Sequence, residues 1–241
     1  MLKTTVKIVL PVYNEEKELE ENLLKLRGFV FKNLLDYEVK IIIADNASTD
    51  QTPAIAKKIA DQYRDVSFSR LEKKGRGRAI KKTWETGDAD VYVYMDLDLS
   101  TDLKHLPNLI NSLSKGYDLA IGSRLLSNSI IIGRTIKREI LSKTYNFLIK
   151  ILFQTKFSDA QCGFKAISQK TARELLPKVK DNEWFFDSEL LIIAEKSGLK
   201  IYEEPVVWVD NPGSTVRVLK TVTGDLKGLL RLFTTRPWNK L

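Results

Sequence analysis

Apolar positions follow two different spacings that alternate along the first half of the chain. Residues 6–12, 37–44 and 91–95 are short apolar runs rich in β-branched and aromatic side chains, which predict buried strands. Residues 15–31 carry apolar side chains every three or four positions, and a second helix is predicted to begin at Thr52, with Pro53 in its first turn. This strand–helix alternation predicts an α/β fold with a mostly parallel central sheet flanked by helices.

The same two patterns continue towards the C-terminus. Further strands are predicted at residues 66–71, 118–122 and 200–208, and further helices at 78–85, 106–113 and 187–196. Residues 140–157 and 216–233 each combine an apolar helical face with several lysines or arginines. Such helices lie on a membrane surface or pack on the protein core, and the sequence leaves both interpretations open. We expect one domain over residues 1–215 and a C-terminal, membrane-facing amphipathic appendage over residues 216–241.

Charged side chains follow several of the predicted strands. Asp45 ends the second strand, Asp96 and Asp98 follow the fourth, and Arg124 follows the fifth. In open α/β sheets, ligands bind beyond the carboxyl ends of the strands. Two carboxylates separated by one residue of extended chain project to the same side, roughly 7 Å apart at about 3.3 Å per residue. This Asp-Leu-Asp sequence therefore predicts a site for Mg²⁺ or Mn²⁺, bound together with substrate phosphates.

Composition narrows the chemistry further. Lys and Arg number 39 against 31 Asp and Glu, and the net charge of +8 favours anionic partners without choosing among lipid headgroups, phosphorylated ligands and nucleic acid. The single cysteine, Cys162, excludes an internal disulfide, and the single histidine, His105, leaves little room for histidine-based metal sites. We expect no signal peptide, and no apolar run is long enough to predict a transmembrane helix.

A series of short motifs, in one order along the chain, resembles the family 2 glycosyltransferases. The motifs are Pro-Val-Tyr-Asn-Glu at 11–15, Asp-Asn-Ala-Ser-Thr-Asp at 45–50, Gly-Arg-Gly-Arg-Ala at 75–79, Asp-Leu-Asp at 96–98 and Gly-Ser-Arg at 122–124. The resemblance continues at 159–165, 186–190 and 204–208, where the chain is most similar to polyprenyl- and dolichyl-phosphate sugar synthases. It implies a GT-A-like fold and inverting transfer of a hexose, with glucose slightly favoured over mannose. The donor would be a UDP- or GDP-sugar and the acceptor a lipid phosphate, with the protein peripheral on the cytoplasmic face of a membrane.

The resemblance also implies roles for residues on the donor side of the site. Pro11, Tyr13, Glu15 and Asp45 would line the nucleoside pocket. Arg76 would bind the donor, and it lies near a predicted helix start, where backbone N–H groups and the helix dipole favour an anion.

The metal site of the relatives maps onto three residues. Asp96 would contact donor and metal, and Asp98 would be the principal metal ligand. Many lipid-phosphate relatives have a glutamine where this chain has Ser100, so that a water or the serine hydroxyl would complete the site.

On the acceptor side, Arg124 and Arg134 would grip the acceptor phosphate or the donor diphosphate, since the planar guanidinium makes paired bonds to phosphate oxygens. Trp208 is interpreted as a core residue, and Asp187 and Glu189 as residues of a helix start. Ser214 and Arg217 fall in a loop that resembles a nucleotide-covering segment.

Two alternatives remain open. Transfer to a sugar hydroxyl would require a carboxylate base, for which Asp159 is the candidate, whereas an ionised phosphate requires none. Ser100 also leaves open a glycosyltransferase-like binding protein without activity. A nucleic-acid-binding protein is not expected, because that function leaves the Asp-Leu-Asp sequence unexplained. A processive polysaccharide synthase is not expected either, because the Gln-x-x-Arg-Trp motif is absent.

Overall fold

A seven-stranded sheet forms the centre of the molecule. The computed structural model describes residues 3–210 and 218–239. The strands follow the spatial order β3-β2-β1-β4-β7-β5-β8, and all are parallel except β7. A separate parallel pair, β6 and β9, lies outside this sheet. The strands are β1 Thr4–Val12, β2 Tyr37–Asp45, β3 Val66–Arg70, β4 Val91–Met95, β5 Leu119–Ser123, β6 Ile130–Ile132, β7 Phe164–Ser168, β8 Ile201–Pro205 and β9 Val207–Val209.

Helices cover both faces of the sheet, as the alternation of apolar runs predicts. They are α1 Leu19–Asn33, α2 Thr52–Gln62, α3 Arg76–Trp84, α4 Leu106–Ser114, α5 Ile136–Phe153, α6 Gln169–Leu175, α7 Phe186–Lys196 and α8 Val218–Thr235. Helices α1, α2 and α4 pack on one face, and α3, α5, α6, α7 and α8 pack on the other. Successive strand residues point to opposite faces. Ile8 and Leu10 of β1 therefore pack on the face covered by α1, α2 and α4, and Val9 packs on the other face.

Several element boundaries differ from the sequence prediction for local reasons. Helix α1 begins at Leu19 rather than residue 15, after a turn at residues 16–18 in which the Glu18 and Leu19 N–H groups bond to the Glu15 carbonyl. Helix α5 begins at Ile136, where the Thr135 hydroxyl accepts a hydrogen bond from the Arg138 N–H, and it ends before the left-handed Gln154. The prediction of one helix over 140–157 was therefore wrong at both ends.

The predicted strand at 200–208 is in fact two strands in different sheets. Strand β8 pairs with β5, and β9 pairs with β6. Val206 lies between them, with its N–H on the Ser123 carbonyl and its own carbonyl accepting from Ile130. Strand β7, which the sequence prediction missed, runs antiparallel between β4 and β5. Its amino end consequently meets the carboxyl ends of its neighbours at one edge of the sheet.

Helix α8 is joined to the main body by polar contacts as well as apolar ones. Leu229 and Leu232 lie in the core, Arg231 makes two hydrogen bonds to the buried Glu189, and Gln161 donates to Asp225. Within the described residues, no helix is long and apolar enough to cross a membrane. The division into a domain over 1–215 and an appendage over 216–241 stays a prediction.

Two glycines of α8 occupy opposite environments, and alanine should separate them. A Cβ on Gly228 would lie 2.2 Å from the Phe185 ring, whereas a Cβ on Gly224 would meet nothing within 4 Å. We expect Gly228→Ala to lower the free energy of unfolding by about 1–3 kcal/mol through overpacking. Gly224→Ala should raise it by up to about 1 kcal/mol, because alanine favours the helix. Denaturant unfolding measures both, and equal effects would contradict this packing of α8.

Candidate active site

The edge of the sheet at which β1, β2, β4 and β5 end is here called the cleft. Its first side is formed where β1 and β2 end side by side. Pro11 pairs with Ala44 and Val12 with Asp45, so residues 11–13 and Asp45 reach the same edge of the sheet. Asp45 is fully buried, and its Oδ1 accepts a hydrogen bond from the Ser48 N–H at 3.0 Å. Among the described residues no hydrogen-bond donor reaches its Oδ2, and Arg70 Nε lies 3.4 Å from that oxygen. A buried carboxylate oxygen without a donor is a recognition point for a ligand N–H or O–H group.

Hydrogen bonds between the loop after β1 and the loop after β2 fix the backbone that carries Glu15. The Asn14 N–H donates to Ser48, the Asn14 side chain accepts from the Thr49 N–H, and the Glu15 N–H donates to the Thr52 hydroxyl at 2.8 Å. The Lys74 ammonium lies 3.1 Å from the centre of the Tyr13 ring. The predicted nucleoside residues Pro11, Tyr13, Glu15 and Asp45 are thus brought to one place.

The Asp-Leu-Asp sequence lies in a turn rather than on an extended strand. Strand β4 ends at Met95, Leu97 is buried, and the Leu99 N–H bonds to the Asp96 carbonyl. The prediction that both carboxylates project to the same side of an extended strand was therefore wrong. Leu99 has φ 51°, a left-handed conformation that is unfavourable for any residue other than glycine. This turn directs Asp96 and Asp98 into the cleft separately, and the Ser100 N–H donates to Asp98 Oδ1 at 3.0 Å.

Unbalanced negative charge accumulates around this turn. Burial raises the pKa of Glu15 to about 7, and the charges of Glu18, Asp98, Asp50 and Asp96 add to the shift. Desolvation and the Asp96 charge likewise raise the pKa of Asp98, against the hydrogen bonds from Ser100. Carboxylates that repel one another in this way favour a bound cation.

These residues fit a divalent metal of the Mg²⁺ or Mn²⁺ type. Both ions prefer oxygen ligands, and Asp96, Asp98 and Ser100 supply oxygen atoms from a single turn. Across residues 3–210 and 218–239, no group of three or more His, Cys, Asp or Glu side chains could hold a metal ion. A metal held by one or two carboxylates would take its remaining ligands from substrate phosphates and water. The roles of Asp96, Asp98 and Ser100 as ligands stay predictions.

Arg76 enters the cleft by a different route from the one predicted. Helix α3 begins at Arg76, but the Gly77 and Arg78 N–H groups donate to the carbonyls of Glu183 and Asn182. These two amides of the helix start are therefore already occupied by carbonyl groups. The guanidinium itself bonds to Asp96 through Nη2 and to Asp187 Oδ2 through Nη1, the latter at 2.7 Å.

A buried ionic network lies behind Arg76, and the sequence analysis missed it. Asp187 accepts hydrogen bonds from Tyr94 and lies 2.9 Å from the ammonium of Lys165. Lys165 is fully buried and also donates to the carbonyls of Ala160 and Cys162. Asp187, interpreted from the sequence as a helix-start residue, is thus a link in this network. Helical position alone could not reveal this, since its partners come from other elements.

The other side of the cleft carries two arginines and an aromatic ring. Arg124 binds Asp159 in a bidentate pair, with Nε–Oδ2 2.7 Å and Nη2–Oδ1 2.9 Å. The guanidinium carbons of Arg124 and Arg134 lie 5.4 and 5.8 Å from the centre of the Trp208 ring. Burial and the charge of Arg124 lower the pKa of Arg134, so positive charge is concentrated here. Trp208 is half-buried: it packs against the core, as predicted, and also presents its ring to the two arginines.

Hydrogen bonds join this arginine side to the acidic turn. The Val209 N–H donates to the Ser100 carbonyl, and the Asp102 N–H donates to the Val207 carbonyl. His105 Nε2 accepts from the Val207 N–H, while its Nδ1 lies 3.0 Å from Glu204. Strand β9, which carries Trp208, is therefore held against residues 100–105. The two arginines and the predicted metal turn therefore lie along one edge.

With this geometry established, the chain can be compared with known proteins. Residues 7–176 match glycosyl transferase family 2. The chain belongs to this family. The match confirms both the family and the class of enzyme, a glycosyltransferase, that the ordered motifs indicate.

Relatives extend the likeness over nearly the whole chain. Glycosyltransferase AglD of Haloferax volcanii is 33% identical over 238 residues, which cover 96% of this chain and 38% of AglD. A dolichyl-phosphate beta-glucosyltransferase of Dictyostelium discoideum is 27% identical over 238 residues, covering 93% of this chain and 72% of that protein. The chain thus spans less than half the length of the Haloferax relative.

Solved structures confirm the GT-A-like fold. Glucosyl-3-phosphoglycerate synthase from Mycobacterium tuberculosis, crystallised with Mn²⁺, uridine-diphosphate-glucose and phosphoglyceric acid, superposes with a TM-score of 0.66. The superposition covers 98% of this chain and 80% of that one, at 17% identity.

The described residues that the sequence predicts for the site lie along this edge of the sheet, and their roles stay predictions. Those predicted for the donor are Pro11, Tyr13, Glu15, Asp45 and Arg76, and those predicted for the metal and the phosphates are Asp96, Asp98, Ser100, Arg124 and Arg134. Ser214 and Arg217 lie outside the described residues. Asp187, Lys165 and Gly163 lie in the motifs at 186–190 and 159–165, but the sequence analysis did not predict the contacts that these residues make.

Gly163 leaves the space that the Asp96 carboxylate occupies. A Cβ at position 163 would lie 1.9 Å from Asp96 Oδ2, and the Asp96 N–H donates to the Gly163 carbonyl. We expect Gly163→Ala to displace this carboxylate and to lower Mn²⁺-dependent transfer by about 100-fold. Gly28→Ala, where a Cβ meets nothing within 4 Å, is the control and should keep full activity. Normal transfer by Gly163→Ala would mean that the position of Asp96 is unimportant.

Proposed function

We propose that this glycosyltransferase transfers glucose, with inversion at the anomeric carbon, from a nucleotide-diphosphate sugar to a polyprenyl or dolichyl phosphate. One observation carries the proposal: the same cleft joins an acidic turn to two arginines on one tryptophan ring. Asp96 and Asp98 suit a metal-bound diphosphate, and Arg124 and Arg134 suit a second phosphate. The names of the Dictyostelium and Drosophila relatives, dolichyl-phosphate beta-glucosyltransferases, support the same acceptor and sugar.

The donor side supports a UDP-sugar. The Oδ2 of Asp45, which no described hydrogen-bond donor reaches, can accept a hydrogen bond from a nucleobase N–H. The Tyr13 ring offers a stacking surface once Lys74 moves away. A guanine N–H could use the same oxygen, so the preference for uridine rests on the uridine-diphosphate-glucose bound by the similar solved structure.

Each residue has a definable part in the reaction. A divalent metal, when bound, would neutralise the charge that develops on the departing diphosphate. Asp96 and Asp98 would hold the donor in place at the acidic turn, and Arg76 would add a positive charge beside it. An oxygen of the acceptor phosphate would form the new bond to the anomeric carbon as the bond to the diphosphate breaks on the opposite side. Nucleoside diphosphate then leaves, and no covalent enzyme intermediate is needed.

A phosphate acceptor fits the absence of an available base among the described residues of the acceptor side. Asp159 is fully buried, and its pair with Arg124 holds its pKa at about 2 despite burial. It cannot take a proton from a sugar hydroxyl without breaking that pair. An acceptor phosphate arrives already ionised, so it avoids this requirement. The geometry therefore disfavours the sugar-hydroxyl alternative that relies on Asp159.

The acceptor assay compares a short-chain polyprenyl phosphate with the corresponding alcohol, using UDP-glucose and Mn²⁺. We expect product only from the phosphate. Arg134→Met should lower kcat/KM for the phosphate by about ten- to 100-fold, the loss typical of a charged hydrogen bond. Arg138→Met is the matched control, because Arg138 pairs with Asp210 instead of facing Trp208.

Each outcome of this assay is decisive. Equal rates on alcohol and phosphate would return the sugar-hydroxyl alternative to first place. No product with any donor or metal would favour the inactive binding protein.

We also propose that the enzyme works as a peripheral protein on the cytoplasmic face of a membrane, where a lipid phosphate is found. Helix α5 presents four large apolar residues that are more than half exposed, here called the α5 stripe: Ile136, Ile140, Phe147 and Ile151. Exposed Lys143 and Lys150 lie on the same helix. Apolar side chains beside lysines suit an anionic lipid surface. The stripe begins two residues after Arg134, so bound lipid would lie near the proposed acceptor site.

Vesicle co-sedimentation tests this membrane contact. We expect stronger binding to vesicles containing phosphatidylserine than to phosphatidylcholine alone, and weaker binding as salt rises. Replacing Phe147 and Ile151 by Asp should reduce binding by at least about tenfold, because each side chain would lose apolar burial. Phe31→Asp is the control, since Phe31 is 69% exposed on α1, across the sheet. Equal binding by all three proteins would make the α5 stripe irrelevant to lipid.

A further inference from the structure

Arg76 connects the cleft to the interior of the protein through two carboxylates of different exposure. Asp187 is 3% exposed and Asp96 47% exposed, and the guanidinium bonds to both. The rings of Tyr94 and Trp184 each lie 5.1 Å from the guanidinium carbon. One edge of Arg76 is thus held in the interior, while the other edge meets the residue predicted to contact donor and metal.

Asp187 is itself held from behind. Lys165 lies 2.9 Å from its Oδ1, and Tyr94 donates a hydrogen bond to the same oxygen. Lys165 and Tyr94 are both fully buried, so these contacts exclude water. Basic and acidic groups therefore alternate from the core to the cleft: Lys165, Asp187, Arg76, Asp96. Each buried charge has a partner, as its burial requires.

We propose that Asp187 is a positioning residue for the donor site, acting through Arg76. By binding one edge of the guanidinium, Asp187 keeps Arg76 from turning fully towards Asp96. The other edge can then pass from Asp96 to an oxygen of the donor diphosphate when Asp96 engages the metal. This role rests on the proposed donor and metal site. It also assigns Asp187 no part as a base, since the carboxylate is surrounded by Arg76, Lys165 and Tyr94.

The test measures binding of Mn²⁺ in the presence of UDP, by loss of the electron paramagnetic resonance signal of free Mn²⁺. Asp187→Asn should weaken binding by about tenfold, because Arg76 would pair with Asp96 alone and compete with the metal. Glu189→Gln is the matched control. Glu189 is also fully buried, lies two residues along the same helix and pairs with Arg231, away from the cleft. It should bind Mn²⁺ within about twofold of wild type.

A double-mutant cycle distinguishes positioning from general damage to the fold. If Asp187 acts through Arg76, then Asp187→Asn should add little to the loss already caused by Arg76→Gln. Additive losses, equal losses in the Glu189→Gln control, or normal binding by Asp187→Asn would each overturn the proposal. Should Asp187→Asn fail to fold, the same cycle can use Asp187→Asn combined with Lys165→Met, which removes one buried charge of each sign.

Wild-type binding separates this proposal from the proposed function. Absence of Mn²⁺-dependent UDP binding by the wild-type chain would refute the donor site, and the role of Asp187 with it. Normal wild-type binding together with normal Asp187→Asn binding would refute only the positioning role.

Discussion

The pairing of buried charges is the constraint on which this cleft depends. Charged groups removed from water cost several kcal/mol each unless a counter-charge compensates them. Arg76 lies between Asp96 and Asp187, Lys165 contacts Asp187 from the interior, and Arg124 lies against Asp159. These pairs decide which groups are free to meet substrate. Asp159 is consumed by its partner, while Asp96 keeps one oxygen over Gly163 and stays open to the cleft.

The topology of the sheet makes those pairs possible. Strand β7 runs antiparallel between β4 and β5, so the chain delivers residues 159–163 to the edge where Asp96 and Arg124 emerge. Strand β9 leaves the main sheet at Val206 and returns against Ser100, which places Trp208 beneath the two arginines. Donor and acceptor sides are therefore parts of one hydrogen-bonded edge. Relative movement between them would break backbone hydrogen bonds, which favours a preorganised cleft.

The two faces of the sheet differ in what they leave exposed. On the face of α5 and α8, large apolar side chains reach solvent along both helices, including Phe147 at 64% and Leu230 at 66% exposure. Between these helices lies a cavity of about 230 Å³ lined by leucines and a phenylalanine. Gly228 allows α8 to approach Phe185, so the position of this surface depends on core packing. The apolar surface of α5 and α8 is therefore joined through the core to Phe185, directly before helix α7, which carries Asp187.

Local sequence determined the strand–helix alternation, the family and most of the cleft residues, because strand periodicity and strand ends are readable one segment at a time. Asp45, Asp96 and Arg124 could be assigned to one edge on that basis. Only the tertiary structure decided which charged side chains are paired with a partner inside the protein. From its sequence position Asp187 looked like an ordinary helix-start residue, and Asp159 looked like a possible base. Their partners come from elements as many as 111 positions apart, as in the Arg76–Asp187 pair, and pairing across such distances depends on three-dimensional packing that no local pattern encodes.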